Sequence, residues 1–204
     1  MNFPSKLIED AVNAFSTLPG IGKKTALRLV LHLIKQDIGY TEQISQALQK
    51  MRREIKECTI CANISDEAVC NICTDSRRDA STICVVESVR DVMAIEDTGQ
   101  YKGHYHVLGG VISPIEGIGP EDINITGLMN RIAIGNIQEL VMAISPTIDG
   151  DTTIFFIGKQ AQNSGVKIST IARGISFGNE LEYADEMTLG RSIAARTPYR
   201  IQGE

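Results

Sequence analysis

Four of the five cysteines stand within sixteen residues, as Cys58, Cys61, Cys70 and Cys73, in the spacing C-x2-C-x8-C-x2-C. Each C-x2-C half wraps two thiolates around one ion at the tetrahedral angle, and eight intervening residues suffice for a tight ribbon that brings the halves together. Four protein ligands leave no position for water, so the metal implied is a structural zinc, one per chain. It would supply folding free energy to a segment too short for an apolar core. The alternatives are a redox C-x-x-C or disulfides, although a lone redox motif needs no second copy. The fifth cysteine, Cys84, lies in the run Thr82-Ile83-Cys84-Val85-Val86 and reads as a small buried hydrophobe.

A second chemistry is written in Leu18-Pro19-Gly20-Ile21-Gly22, which separates helical patterns over about residues 4–16 and 24–36. Gly20 and Gly22 let a hairpin backbone approach a phosphate closely, and the next helix offers unpaired N–H groups and the positive end of its dipole. Lys24, Arg28 and His32 recur at i, i+4 and i+8, so Lys24 and Arg28 add charge at that end. Leu27, Val30, Leu31 and Ile34 form the stripe predicted to be buried. Contacts of this kind go to the phosphate backbone, so the binding expected is sequence-independent and salt-sensitive. A plain helix connector is the alternative. Gly22-Lys23-Lys24-Thr25 lacks the earlier glycine of a P-loop, which excludes nucleotide binding there.

A third group is acidic. Apolar runs at 82–86, 105–108, 138–144 and 166–171 alternate with helical or loop segments, which predicts a small parallel α/β sheet. Ligands in such sheets bind beyond the carboxyl ends of the strands. Glu87 stands at that end of the first run, and Asp149 and Asp151 follow the third on the loop from Ser145. One Glu and an Asp-x-Asp at converging strand ends make a hard oxygen site suited to magnesium. Alternatively, Asp149-Gly150-Asp151 merely turns the chain and caps a helix.

The elements that must position these groups belong to an ordinary globular chain of 204 residues, 43% hydrophobic and 22% charged. No run of 18 apolar residues exists, and acidic residues appear by position 9 without an apolar leader, so a soluble, cytoplasmic protein without a membrane partner is expected. The net charge of −5 conceals a split, because residues 1–57 hold nine Lys/Arg against six Asp/Glu. The basic first quarter is a local electrostatic footprint for nucleic acid. A solvated helix face would look similar.

Taken in order, Leu18-Pro-Gly-Ile-Gly-Lys-Lys-Thr, the four cysteines, Val85-Val-Glu-Ser, Leu108-Gly-Gly-Val-Ile-Ser-Pro, Ile171-Ala-Arg-Gly and Leu181-Glu-Tyr-Ala-Asp-Glu-Met-Thr-Leu-Gly-Arg resemble the RecR family of bacterial recombination mediators. The resemblance covers essentially the whole chain. It implies an α/β multidomain protein with a helix-hairpin-helix over 1–53, a four-cysteine zinc finger over 54–79, a Toprim domain over 80–175 and a C-terminal segment over 176–204. It further implies homodimers or homotetramers that hold single- and double-stranded DNA, and action with RecO, and in some bacteria RecF, to load RecA on gapped or single-stranded DNA. Gly20, Gly22, Lys23, Lys24 and Arg28 are the DNA-contacting set expected, and Glu87, Asp149 and Asp151 fall on the Toprim acidic positions. The acid-Gly-acid loop carries Asp where many members carry Glu.

No enzymatic activity is implied. The competing reading is a Toprim enzyme doing magnesium-dependent phosphodiester chemistry, but a topoisomerase needs a nucleophilic Tyr on another domain and a primase needs a nucleotide-binding module. Two local expectations complete the reading. Thr152-Thr153-Ile154-Phe155-Phe156-Ile157 has strand-like propensity where the resemblance implies a helix, and helix is expected. Ile175, Phe177, Leu181, Tyr183, Met187, Leu189 and Ile193 of the tail cannot form a core alone and are expected to pack on the sheet or at a subunit interface.

Overall fold

The computed structural model describes residues 3–175, 178 and 180–198. The chain divides into two compact units, Met1–Ile55 and Lys56–Glu204.

The first unit is helical, with α1 (Lys6–Ser16), α2 (Lys23–Ile34) and α3 (Ile38–Glu54). Ser5 caps α1 by accepting from the Leu7 amide at 3.2 Å, and Asp37 caps α3 by accepting from the Tyr40 amide at 3.0 Å. Helices α1 and α2 meet through buried Val12, Ala26 and Val30, with Ile8, Phe15, Ile21 and Leu27 packed around them. The predicted stripe on α2 is therefore only partly buried, because Leu31 and Ile34 are 45% and 59% exposed. The small side chain of Ala26, one turn before Val30, lets α1 approach closely and draws the seam to that face. Helix α3 is amphipathic yet buries no residue.

The second unit opens with a two-residue antiparallel ribbon, β1 (Lys56–Glu57) and β2 (Ile64–Ser65), followed by the single turn α4 (Asn71–Thr74). Then come β3 (Asp79–Val86), α5 (Val89–Asp97), β4 (Gly103–Val107), α6 (Ile125–Ile134), β5 (Glu139–Ala143), α7 (Ile148–Ala161) and β6 (Lys167–Thr170). The sheet order is β4-β3-β5-β6, with every pairing parallel, as the alternation of apolar runs and helical segments predicts. Residues Ile83 to Val86 of β3 are all buried, since helices cover both faces of such a sheet. Ile83, Val85, Leu140 and Met142 point to one core with Leu128 and Ile157. Cys84, Val86, Tyr105 and Val107 point to the other with Val92. Cys84 is thus the buried hydrophobe expected, and burial pushes its thiol up to about 12.

Residues 152–157 are helical. Thr153, Ile157 and Ala161, at i, i+4 and i+8 of α7, are buried against the sheet, and this packing outweighs the β-branched propensity. Past β6 the chain makes a 3-10 turn over Leu181–Tyr183 and a last helix, α8 (Glu186–Ala194), capped by Asp185. Leu181, Tyr183, Met187 and Ile193 stay exposed within the single chain, and Phe177 lies outside the described residues.

The turn into α7 depends on a missing side chain. A Cβ on Gly150 would stand 2.1 Å from the Ser145 carbonyl oxygen, a backbone atom that cannot swing aside. Gly150→Ala should therefore displace the β5–α7 loop and lower the unfolding free energy by about 1–3 kcal/mol in a urea titration of zinc-loaded protein. An unchanged midpoint would show that the loop yields without cost.

Candidate functional site

Cys58 and Cys61 sit in the turn between β1 and β2, and Cys70 and Cys73 flank the start of α4 and lie within it. The turn is tight. The Cys58 amide donates to the Asn63 carbonyl at 2.7 Å and the Ala62 amide to the Cys58 carbonyl at 2.9 Å, with Ala62 at φ 60°. All four Sγ atoms lie within 4.8 Å of one another, and those of Cys61 and Cys70 are 3.6 Å apart. Tetrahedral zinc with bonds of about 2.3 Å needs sulfurs roughly 3.8 Å apart, whereas a disulfide needs about 2.05 Å. The donor set therefore fits zinc, and the four cysteines are not disulfide-bonded.

The electrostatics agree. A hydrogen bond from Cys73 pulls the Cys61 thiol down to about 5, burial pushes Cys70 up to about 11, and the bond to Cys61 pushes Cys73 up. Thiolates this close disfavour one another's charge, and a bound metal deprotonates its thiol ligands. The Cys70 amide already donates to the Cys58 sulfur at 3.3 Å.

One contributor to this centre escapes the sequence reading. Arg131 of α6 is partly buried, donates to the Tyr105 carbonyl at 2.5 Å and lies 3.3 Å from His106 Nδ1. Burial pushes its guanidinium down, and the charges of Cys73, Cys61 and Cys58 push it back up. It is a partly buried cation whose charge is felt at three of the four cysteines, and its only signal in the sequence is a cation inside the apolar helix Ile125–Ile134.

At the hairpin, Gly20 has φ +77°, the left-handed region that disfavours other residues. Gly22 is the N-cap of α2 and provides no side-chain cap. The first helical bond runs from the Ala26 amide to the Gly22 carbonyl at 2.9 Å, so the amides of Lys23, Lys24 and Thr25 have no intrahelical acceptor. Helices α1, α3, α7 and α8 instead have side-chain caps from Ser5, Asp37, Thr147 and Asp185. No acidic residue occupies the first turn of α2, and Lys23, Lys24 and Arg28 are exposed and make no ion pair among the described residues. His32 is also exposed and meets Tyr40 edge-on at 6.4 Å. Free amides, an unopposed dipole and three exposed cations are features that favour an anion at this end of α2.

The acidic residues are arranged differently. Glu87 follows β3, and its Oε1 accepts from the Ser145 amide at 2.5 Å, tying that strand end to the β5–α7 loop. Asp149 and Asp151 lie in the first turn of α7, where Thr147 accepts from the Gly150 amide at 3.0 Å. Asp151 is paired with Arg173 at 2.6 Å, which holds its carboxyl below the usual range. Among the described residues only the four cysteines bring three or more ligand atoms within reach of one ion. With two of the three carboxylates engaged and their oxygens not gathered, the acidic loop does not fit magnesium.

Comparison with known proteins bears on every segment. Family models match as RecR, helix-hairpin-helix over residues 8–52; RecR, four-cysteine zinc finger domain over 55–75; Toprim domain over 81–172; and RecR, C-terminal over 174–197. Recombination protein RecR of Flavobacterium johnsoniae is 62% identical over 98% of this chain and 97% of its own length. The protein of that name from Cytophaga hutchinsonii is 58% identical over 99% of each, and that from Parabacteroides distasonis 53% over 98% and 96%.

The metal centre sets its own test. Purified protein should carry about one zinc per chain by elemental analysis, and Cys58→Ser or Cys70→Ser should lose it and unfold at lower denaturant. A folded, active sample without zinc would contradict the assignment.

Proposed function

The chain belongs to the RecR family, and on that premise we propose that it is a DNA-binding mediator of recombinational repair, not an enzyme. The observation that carries this reading is the N-terminus of α2, uncapped, free of acidic residues and flanked by Lys23, Lys24 and Arg28. The amides of Lys23, Lys24 and Thr25 lack an intrahelical acceptor there, and a Cβ at Gly20 or Gly22 would meet nothing within 4 Å. A phosphate fits such a place, and a phosphate is common to single and double strands of any sequence. Lys24 and Arg28, one turn apart, then follow the strand to neighbouring phosphates.

The zinc finger holds its segment in shape and takes no part in chemistry, because a closed four-thiolate site has no position for a substrate. In this reading the segments 1–53, 54–79, 80–175 and 176–204 divide the work as hairpin, finger, Toprim domain and C-terminal contact. Exposed Leu7, Ile34 and Ile38 on the first unit, and Leu181, Tyr183 and Met187 on the tail, are available for contacts between copies in a dimer or tetramer. The acidic β5–α7 loop, with Asp149 unpaired among the described residues, suits a basic protein surface such as a DNA-binding partner offers. RecO, and in some bacteria RecF, are the partners proposed, and loading of RecA on gapped or single-stranded DNA in the cytoplasm is the reaction served. No helix of the described residues is long and apolar enough to cross a membrane.

Exchanging Lys24 and Arg28 for Glu replaces two positive charges by two negative ones without touching the α1–α2 seam. Affinity for single- and double-stranded oligonucleotides should fall by about tenfold or more at low salt, and the slope of log K against log salt should flatten by roughly 0.9 for each duplex phosphate no longer neutralised. Helix content and zinc should be unchanged. Unaltered affinity and slope would make the hairpin a connector only.

A further inference from the structure

We infer that Arg173 is the resident cation of the acidic strand-end loop: its guanidinium stands in for the divalent ion that Glu87, Asp149 and Asp151 would otherwise attract, and keeps the loop metal-free. The topology places it there. Strand β6 pairs with β5, so the segment leaving β6 after Thr170 runs beside the loop that leaves β5 and enters α7. Arg173 reaches Asp151 from that segment in a two-pronged contact, Nη2 to Oδ1 at 2.6 Å and Nη1 to Oδ2 at 3.4 Å. The arginine side chain is 26% exposed, so the pair is partly shielded from water. A planar fork matching both carboxylate oxygens is the geometry that a guanidinium provides and a lysine does not.

The neighbouring charges act in the same direction. Arg191 of α8 adds a second positive charge near Asp151. Oε1 of Glu87 is taken by the Ser145 amide, which leaves Asp149 as the one carboxylate of the three with no hydrogen bond or ion pair among the described residues. An arriving magnesium ion would find one free carboxylate and two guanidinium groups, and it sheds water reluctantly. A magnesium-dependent enzyme needs the opposite balance, with carboxylate charge left over for the metal. The pair also ties the chain leaving the sheet to the first turn of α7, so the acidic loop and the start of the C-terminal segment are held together. None of this depends on the hairpin reading.

The experiment is Mn2+ binding followed by electron paramagnetic resonance on zinc-loaded full-length protein, with circular dichroism and zinc content as checks of folding. The wild-type protein should leave the free Mn2+ signal undiminished by any site that Asp151→Asn removes. Arg173→Gln should bind Mn2+ about tenfold or more tightly than wild type, because a positive charge beside the carboxylate is gone. Arg173→Lys, which keeps the charge but not the fork, should bind Mn2+ less tightly than Arg173→Gln, and Arg173→Gln with Asp151→Asn should lose the gain. Stoichiometric Mn2+ on the wild type that Asp151→Asn abolishes would overturn the inference. So would a folded Arg173→Gln protein that binds no more tightly than wild type.

Discussion

Four thiol groups packed within reach of one another cannot all ionise unless a cation joins them, and much of the second unit is arranged around that requirement. The segment from Lys56 to Asp75 contributes a two-residue ribbon and one helical turn, far too little apolar surface to stay folded alone. Metal–thiolate bonds supply what a core would. Once closed, the finger covers the sheet: the amide of Val107, on the edge strand β4, donates to the Cys61 carbonyl at 2.8 Å, and Ala62 and Ile72 pack on the core of Cys84, Val86 and Tyr105. An edge strand with unpaired amides is a liability, and here the finger caps it. Arg131 of α6 donates to the Tyr105 carbonyl of the same edge strand.

Charge is handled in opposite ways at the two ends of the chain. On α2 the cations are exposed and the N-cap offers the helix amides no side-chain acceptor. At the carboxyl ends of β3 and β5, where α/β proteins commonly bind ligands, two of the three carboxylates are engaged internally, Glu87 by the Ser145 amide and Asp151 by Arg173. The proposed function, holding DNA without cutting it, draws on this contrast between exposed cations in one unit and internally engaged carboxylates in the other.

The sequence reveals some of this clearly. Cysteine spacing reads directly as a ligand set because ligation is local on each side, two residues apart. The parallel sheet follows from apolar runs near 82–86 and 138–144, and the hairpin from two glycines between periodic segments. What is not legible depends on contacts distant in sequence. The α1–α2 seam passes over Leu31 and Ile34 because Ala26 allows closer approach, and propensity misleads over 152–157 because Thr153 and Ile157 are set by burial. The Asp151–Arg173 pair spans 22 residues, and the bond from Glu87 to Ser145 spans 58. No spacing rule connects them, so the sequence motif gives no sign that Asp151 is paired with Arg173 or that Glu87 is tied to Ser145.

The central claim is that phosphate is taken at the N-terminus of α2 and not at the acidic strand ends. Amide NMR of the 15N-labelled, zinc-loaded protein during titration with a short oligonucleotide tests it most directly. The account predicts that the largest shifts fall on Gly22, Lys23, Lys24, Thr25 and Ala26, that added salt reverses them, and that the amides of Glu87, Ser145, Asp149 and Asp151 stay in place. Shifts concentrated on the acidic loop, with the α2 amides unmoved, would contradict it.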